Sequence, residues 1–172
     1  MECKWLPELI PCENLSEFAL YEQQIYQLFR HDFIETHPLF ENKRVQIRKL
    51  PFVNGYEQAF YHVTSSEYLH DEQRFPDLRR CERIKWVRAF IENYGCDPTL
   101  CEECDGIKVW DEPKGANARV HLLFEEERYM VILERRKEYV LLITAYYFDY
   151  NNTLEKQLKQ YRKYAPKRQD AP

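Results

Sequence analysis

Glycine is scarce: the 172-residue chain holds four. Loops that cradle phosphates of the Walker or dinucleotide type need several glycines at fixed spacing, so that the backbone can approach the anion. No such run occurs, and nucleotide-dependent chemistry leaves the front rank. Long apolar runs are also missing. The longest, Tyr139 to Phe148, is β-branched and aromatic, and falls well short of the roughly 18 residues of a membrane helix. The N-terminus lacks a basic stretch followed by an apolar one, so no secretory signal is read there and a cytoplasmic protein without membrane partners is expected. Six cysteines without an export signal read as reduced thiols. A net charge of −4 is not the basic footprint of a general nucleic-acid binder.

What is present argues for a packed core. Hydrophobic residues make up 44% and aromatic residues 15% of the chain, which opposes disorder. The length suits one domain, taken as residues 1–165, with 166–172 as a loose tail. Charge is unevenly spread. From Arg74 to Arg88 six basic residues (Arg74, Arg79, Arg80, Arg83, Lys85, Arg88) stand against two acids, Asp77 and Glu82. A second basic run, Lys156, Lys159, Arg162 and Lys163, lies near the C-terminus. A local basic surface on a mildly acidic protein suits a site for one or two phosphates rather than a long duplex track.

Leu15 to Glu35 has helical spacing, with Leu15, Phe18, Ile25, Leu28 and Phe29 on one side. His37-Pro38 ends it. Val45 to Arg48 alternates as a strand, Pro51 to Gly55 is a loop, and Tyr56 to Thr64 reads as a second strand. Pro76-Asp77 opens a central helix that runs to about Tyr94 and stops at Gly95. A short strand over Ile107 to Trp110 precedes a turn near Lys114-Gly115. Three strands follow, Arg119 to Phe124, Tyr129 to Glu134 and Tyr139 to Phe148, joined by short charged hairpin loops. Thr153 is expected to cap a last helix through Tyr164. The fold class is α+β: an N-terminal and a central helix on a mainly antiparallel sheet of four to five strands, closed by a C-terminal helix.

The central helix carries Arg79, Arg83, Trp86 and Phe90 on one stripe, beside Ile84, Val87, Ile91 and Tyr94. Arginines next to a flat ring are what single-stranded RNA recognition uses, guanidinium for phosphate and ring for base. The competing reading is a solvated charged face with Trp86 half-buried. His62, expected on a strand face with Thr64, is the first candidate for general acid or base, because histidine titrates near neutral pH. An inert histidine on a half-exposed strand is the alternative. Thr144 and Tyr146 share one face of an apolar strand, where a hydroxyl must find a partner or face a cleft; simple β-propensity also accounts for them. Cys96, Cys101 and Cys104 form C-x4-C-x2-C, but a tetrahedral zinc site needs a fourth ligand. Cys3 and Cys12 stand at the wrong spacing to supply it, so no metal is expected.

Phe60-Tyr61-His62-Val63-Thr64, then Arg74 to Trp86, Val131 to Lys137 and Ile143-Thr144-Ala145-Tyr146-Tyr147 occur in that order. Together they resemble a phage- and bacteria-associated group of the barnase–EndoU–colicin–RelE-like (BECR fold) nucleases over about residues 45–164. The resemblance implies helices packed on an antiparallel sheet with a cleft on the sheet. It implies a toxin-type ribonuclease without metal or cofactor, in which the RNA 2′-hydroxyl attacks the neighbouring phosphate. It further implies His62 as acid or base, and Arg80 and Arg83 as the phosphate clamp. Thr144 and Tyr146 would hydrogen-bond the phosphate or orient the nucleophile. Arg74, Arg79, Lys85, Trp86 and Arg136 would contact RNA.

Two functions therefore compete, beside a third reading as a small zinc-stabilised protein. One is a metal-independent endoribonuclease acting on tRNA or mRNA, with an antitoxin or immunity protein as a further partner. The other is a non-catalytic phage or host-defence binding module that uses the same basic helix and sheet face.

Overall fold

The computed structural model describes residues 3–67, 74–96, 99, 102 and 104–166. Among them, eight strands form a six-stranded mixed sheet and a separate two-stranded one, packed with five α-helices. The class is α+β, as the sequence indicates. No helix among the described residues is long and apolar enough to cross a membrane. The expected tail after Pro166 lies outside the described residues.

The first helix, α1 (Phe18–Arg30), is entered through a 3-10 turn capped by the Asn14 side chain and left through a π-helical turn, His31–Glu35. Tyr21, Ile25 and Phe29 recur on its buried face. A hairpin follows, β1 (Leu39–Phe40) and β2 (Lys43–Ile47), turned by Glu41 and Asn42 at positive φ; its second strand is the one read from sequence over Val45 to Arg48, and its first was not read.

The segment read as a strand over Tyr56 to Thr64 is instead a helix, α2 (Gln58–Thr64). Its β-branched and aromatic residues favour strands locally, but Ala59, Phe60 and Val63 fall on one helical face and are buried. Phe60 packs against Tyr26, Phe29 and Tyr56 with ring centroids 5.0–5.5 Å apart. This burial outweighs the local preference, whose scale spans only about 1 kcal/mol.

Strands β3 (Ser65–Glu67) and β4 (Arg74–Pro76) pair antiparallel and lead into α3 (Leu78–Cys81), capped by Asp77. The single central helix expected from the sequence is broken at Glu82–Arg83. It resumes as α4 (Ile84–Glu92), which buries Ile84, Trp86, Val87, Ala89, Phe90 and Ile91.

The antiparallel meander is β5 (Lys108–Lys114), β6 (Asn117–Phe124), β7 (Tyr129–Arg135) and β8 (Val140–Tyr147). Its last strand also takes β2 as a parallel neighbour, giving the order β1-β2-β8-β7-β6-β5. The expectation of four to five strands is thus corrected to six, because the β1–β2 hairpin extends the meander. The closing helix, α5 (Asn151–Tyr164), begins before Thr153, whose hydroxyl bonds the Tyr150 carbonyl.

The larger core gathers α1, α2, α4 and the N-terminal segment against one face of the sheet. A smaller core under α5 unites Trp110, Leu123, Met130, Ile132 and Phe148 on the other face. Double coverage explains the continuous buried runs in β6 and β7. A register shift inserts Ile143 between Leu142, opposite Leu133, and Thr144, opposite Ile132. Such a bulge changes the phase of side-chain alternation. Val140 and Leu142 before it, and Ala145 and Tyr147 after it, belong to the larger core, whereas Tyr146 packs with the smaller one.

Candidate functional site

Beyond residue 142, β8 loses its β2 neighbour, and α2 and α3 take up contact with it instead. A pocket of about 300 Å³ opens there, lined by Arg48, Ala59, His62, Glu67, Arg74, Arg119, Leu142, Ile143, Thr144 and Tyr146. His62 enters from α2, Arg74 from β4, Arg119 from β6, and Thr144 and Tyr146 from β8. Four of the residues selected from sequence, His62, Arg74, Thr144 and Tyr146, are therefore neighbours in space. His62 comes from a helix rather than the expected strand.

The C-terminus of α2 organises the surroundings. The last carbonyls of a helix lack intrahelical partners and carry the negative end of its dipole. Here arginines supply the donors. Arg80 Nη1 donates to the Ser65 carbonyl at 2.8 Å and to the His62 carbonyl at 3.3 Å. Arg74 donates Nε to Ser65 Oγ at 3.0 Å and Nη2 to the same two carbonyls. The Thr144 hydroxyl donates to the His62 carbonyl at 3.1 Å, fastening α2 to β8. Asp77 lies 3.5 Å from Arg80 Nε, and the Arg80 guanidinium stands 4.7 Å over the Tyr146 ring. Arg80 is thus a buried support beneath the pocket rather than part of its lining.

The electrostatics follow. Burial, and then the guanidiniums of Arg74 and Arg48, hold the His62 imidazole below the usual 6.5, opposed by Glu67. A neutral imidazole at neutral pH is a ready proton acceptor. Arg119 is paired with Glu134 at 3.3 Å, and Arg74 with Glu67 at 3.5 Å. Arg48 is exposed, with no ion pair from its guanidinium among the described residues. It is the cation most available to an anionic ligand.

The remaining sequence candidates lie elsewhere. Arg83 is buried against Tyr147 and Trp86, with its centre 4.3 and 4.9 Å from their rings, and pairs with Glu82. Arg79 is exposed over Tyr147 at 5.2 Å. Tyr147 belongs to the larger core, whereas Tyr146 lines the pocket; Arg83 and Arg80 therefore do not converge on one phosphate-sized spot. Trp86 is 3% exposed, donates Nε1 to the Pro7 carbonyl at 2.8 Å and packs its ring against Phe90, Tyr129 and the Arg83 guanidinium. Lys85 borders a groove shared with Trp5, Asp32 and Arg88. Arg136, in the β7–β8 turn, pairs with Glu134.

Arg48 and Arg119 were not singled out from sequence. Each stood at the end of a segment read as a strand, and only the pairing of β2 with β8 brings Arg48 to the pocket. Comparison with protein-family models, with curated proteins and with solved structures gives no match for this chain.

Proposed function

We propose that the protein is a metal-independent endoribonuclease whose site is the pocket between α2 and β8. The observation that carries this reading is one cavity holding a neutral-leaning histidine beside three arginines and two hydroxyl residues. His62 takes the proton of an RNA 2′-hydroxyl. That oxygen then bonds to phosphorus, and the bond from phosphorus to the 5′-oxygen breaks. Arg48, Arg74 and Arg119 neutralise the charge that builds on the phosphoryl oxygens. The Tyr146 hydroxyl, from a residue of the same pocket, protonates the departing 5′-oxygen. Thr144 is a positioning residue, since its proton is committed to the His62 carbonyl. The products are a 2′,3′-cyclic phosphate and a 5′-hydroxyl. The resemblance to BECR-fold nucleases supports the same chemistry and makes an antitoxin or immunity protein a natural partner.

A second reading, a binding module without catalysis, draws support from the internal use of Arg80 and Arg83 and from the net charge of −4. Cleavage of total RNA in excess EDTA separates the two, with circular dichroism at the same EDTA concentration to verify the fold. The ribonuclease gives 2′,3′-cyclic ends that disappear in His62→Ala and fall at least tenfold in Arg48→Ala. Intact RNA with folded wild-type protein, over tRNA, mRNA and ribosome-bound substrates, rejects catalysis in favour of binding.

A further inference from the structure

The sulfur atoms of Cys3 and Cys104 meet at 3.2 Å, across 101 positions of sequence. In the sequence, Cys104 closes a C-x4-C-x2-C run that lacks a fourth ligand, and Cys3 stands too far along the chain to count. The fold removes that objection. Cys3 is buried at the edge of the larger core, and Trp5, two residues on, lies against Phe90 and Phe124. The N-terminal segment is thereby laid over the base of the loop that precedes β5.

That base is already shaped. The Gly106 amide donates to Cys104 Sγ at 3.3 Å, and Gly106 takes φ +75°, a left-handed turn that glycine adopts without strain. The Ile107 amide donates to the Cys96 carbonyl at 2.9 Å, which brings the other end of the loop alongside. Among the described residues no three side chains already form a metal-holding group. Two thiolates on one tetrahedral zinc, each about 2.3 Å from the metal, lie about 3.7 Å apart. The observed 3.2 Å therefore needs to open by about half an ångström.

We propose that Cys3 and Cys104 are two of the thiolate ligands of a structural zinc ion that ties the N-terminus to the loop before β5. The inference does not rest on the ribonuclease reading, because this site and the His62 pocket share no residue. Zinc here shapes the fold and takes no part in the chemistry proposed for His62.

The test is elemental analysis of the full chain, produced with zinc and purified under reducing conditions. About one equivalent is expected for the wild type and for Cys12→Ser, and less than about a tenth for Cys3→Ser and Cys104→Ser. Serine replacement of each other cysteine counts the remaining ligands. Cobalt substitution of the wild type needs no variant to fold: a thiolate-to-cobalt charge-transfer band with tetrahedral d–d bands is expected. A wild type that neither carries nor takes up zinc overturns the proposal, as does zinc retained by both variants. A Cys3–Cys104 disulfide in freshly reduced-purified protein overturns it as well.

Discussion

Replacing Arg80 by leucine separates a structural support from a ligand clamp. The guanidinium bonds the Ser65 carbonyl at 2.8 Å and the His62 carbonyl at 3.3 Å, and stands 3.5 Å from Asp77. It is 7% exposed. Removing one partner of a buried pair typically costs about 3–5 kcal/mol. Two features reduce this. Arg74 still donates to both carbonyls, and Asp77 still accepts the Arg79 and Arg80 amides that start α3. A loss of about 2–4 kcal/mol is therefore expected, more than one net hydrogen bond of a charged group and less than a fully stranded pair. In a chain of this size that lowers Tm by roughly 4–16 °C. Equilibrium urea denaturation should show the midpoint moving with an unchanged slope. Arg80→Lys, which keeps the charge but not the fork, should lose about half as much. The reasoning fails if Arg80→Leu is within about 0.5 kcal/mol of wild type yet loses the RNA cleavage proposed above. Arg80 would then belong to the ligand rather than to α2.

Acidification should destabilise the fold. The imidazoles of His62 and His121 are both held below 6.5, chiefly by burial, so the unfolded chain binds more protons as pH falls. Their contribution is present above the unfolded value of 6.5 and is lost as pH drops through the folded values. His62→Gln should flatten the slope of stability against pH below 6.5, and an unchanged slope would remove His62 from the account. Arg48→Ala should move the His62 resonance titration upward by NMR, since Arg48 is among the cations holding it down. Trp86→Ala should cost about 3–5 kcal/mol through the cavity left beside Phe90 and Tyr129, measured by denaturation. Trp86→Phe should stay folded and keep wild-type RNA cleavage; a selective loss of cleavage would return Trp86 to the substrate. Arg135 links Asp111 on β5 to Glu41 in the β1–β2 turn. Arg135→Gln should lose about 1 kcal/mol in low salt and less in high salt, since the network is half-exposed.

The meander was legible because β6, β7 and β8 are apolar runs separated by charged turns at Glu125–Arg128 and Arg136–Glu138. The hydroxyls of β8 were legible as a pair because their side chains recur with the strand period. The conformation of α2 was not, since Phe60 to Thr64 has the composition of a strand and only its packing against Tyr26 and Phe29 of α1 and against β8 decides otherwise. Arg48 was invisible for a related reason: the parallel pairing of β2 with β8 joins segments about ninety residues apart, which no local pattern records. Trp86 sat beside arginines in the helical projection, but a projection carries no information about Pro7, whose carbonyl accepts the indole N–H.

The bulge at Ile143 sets a reading frame for the last strand. Inserting one further residue after it, with the pairing to β7 resumed at once, would exchange the two faces beyond, sending Thr144 and Tyr146 toward the aromatic interior and Ala145 and Tyr147 toward the open pocket; deleting Ile143 itself would leave Leu142 and Thr144 on opposite faces, where their pairing with Leu133 and Ile132 already has them. Every named side chain would survive the insertion, and the pocket would not. The polar lining of this cleft is therefore a matter of counting as much as of chemistry. Substitutions along β8 can tune the pocket one residue at a time, whereas a single-residue insertion beyond the bulge abolishes pocket and core together.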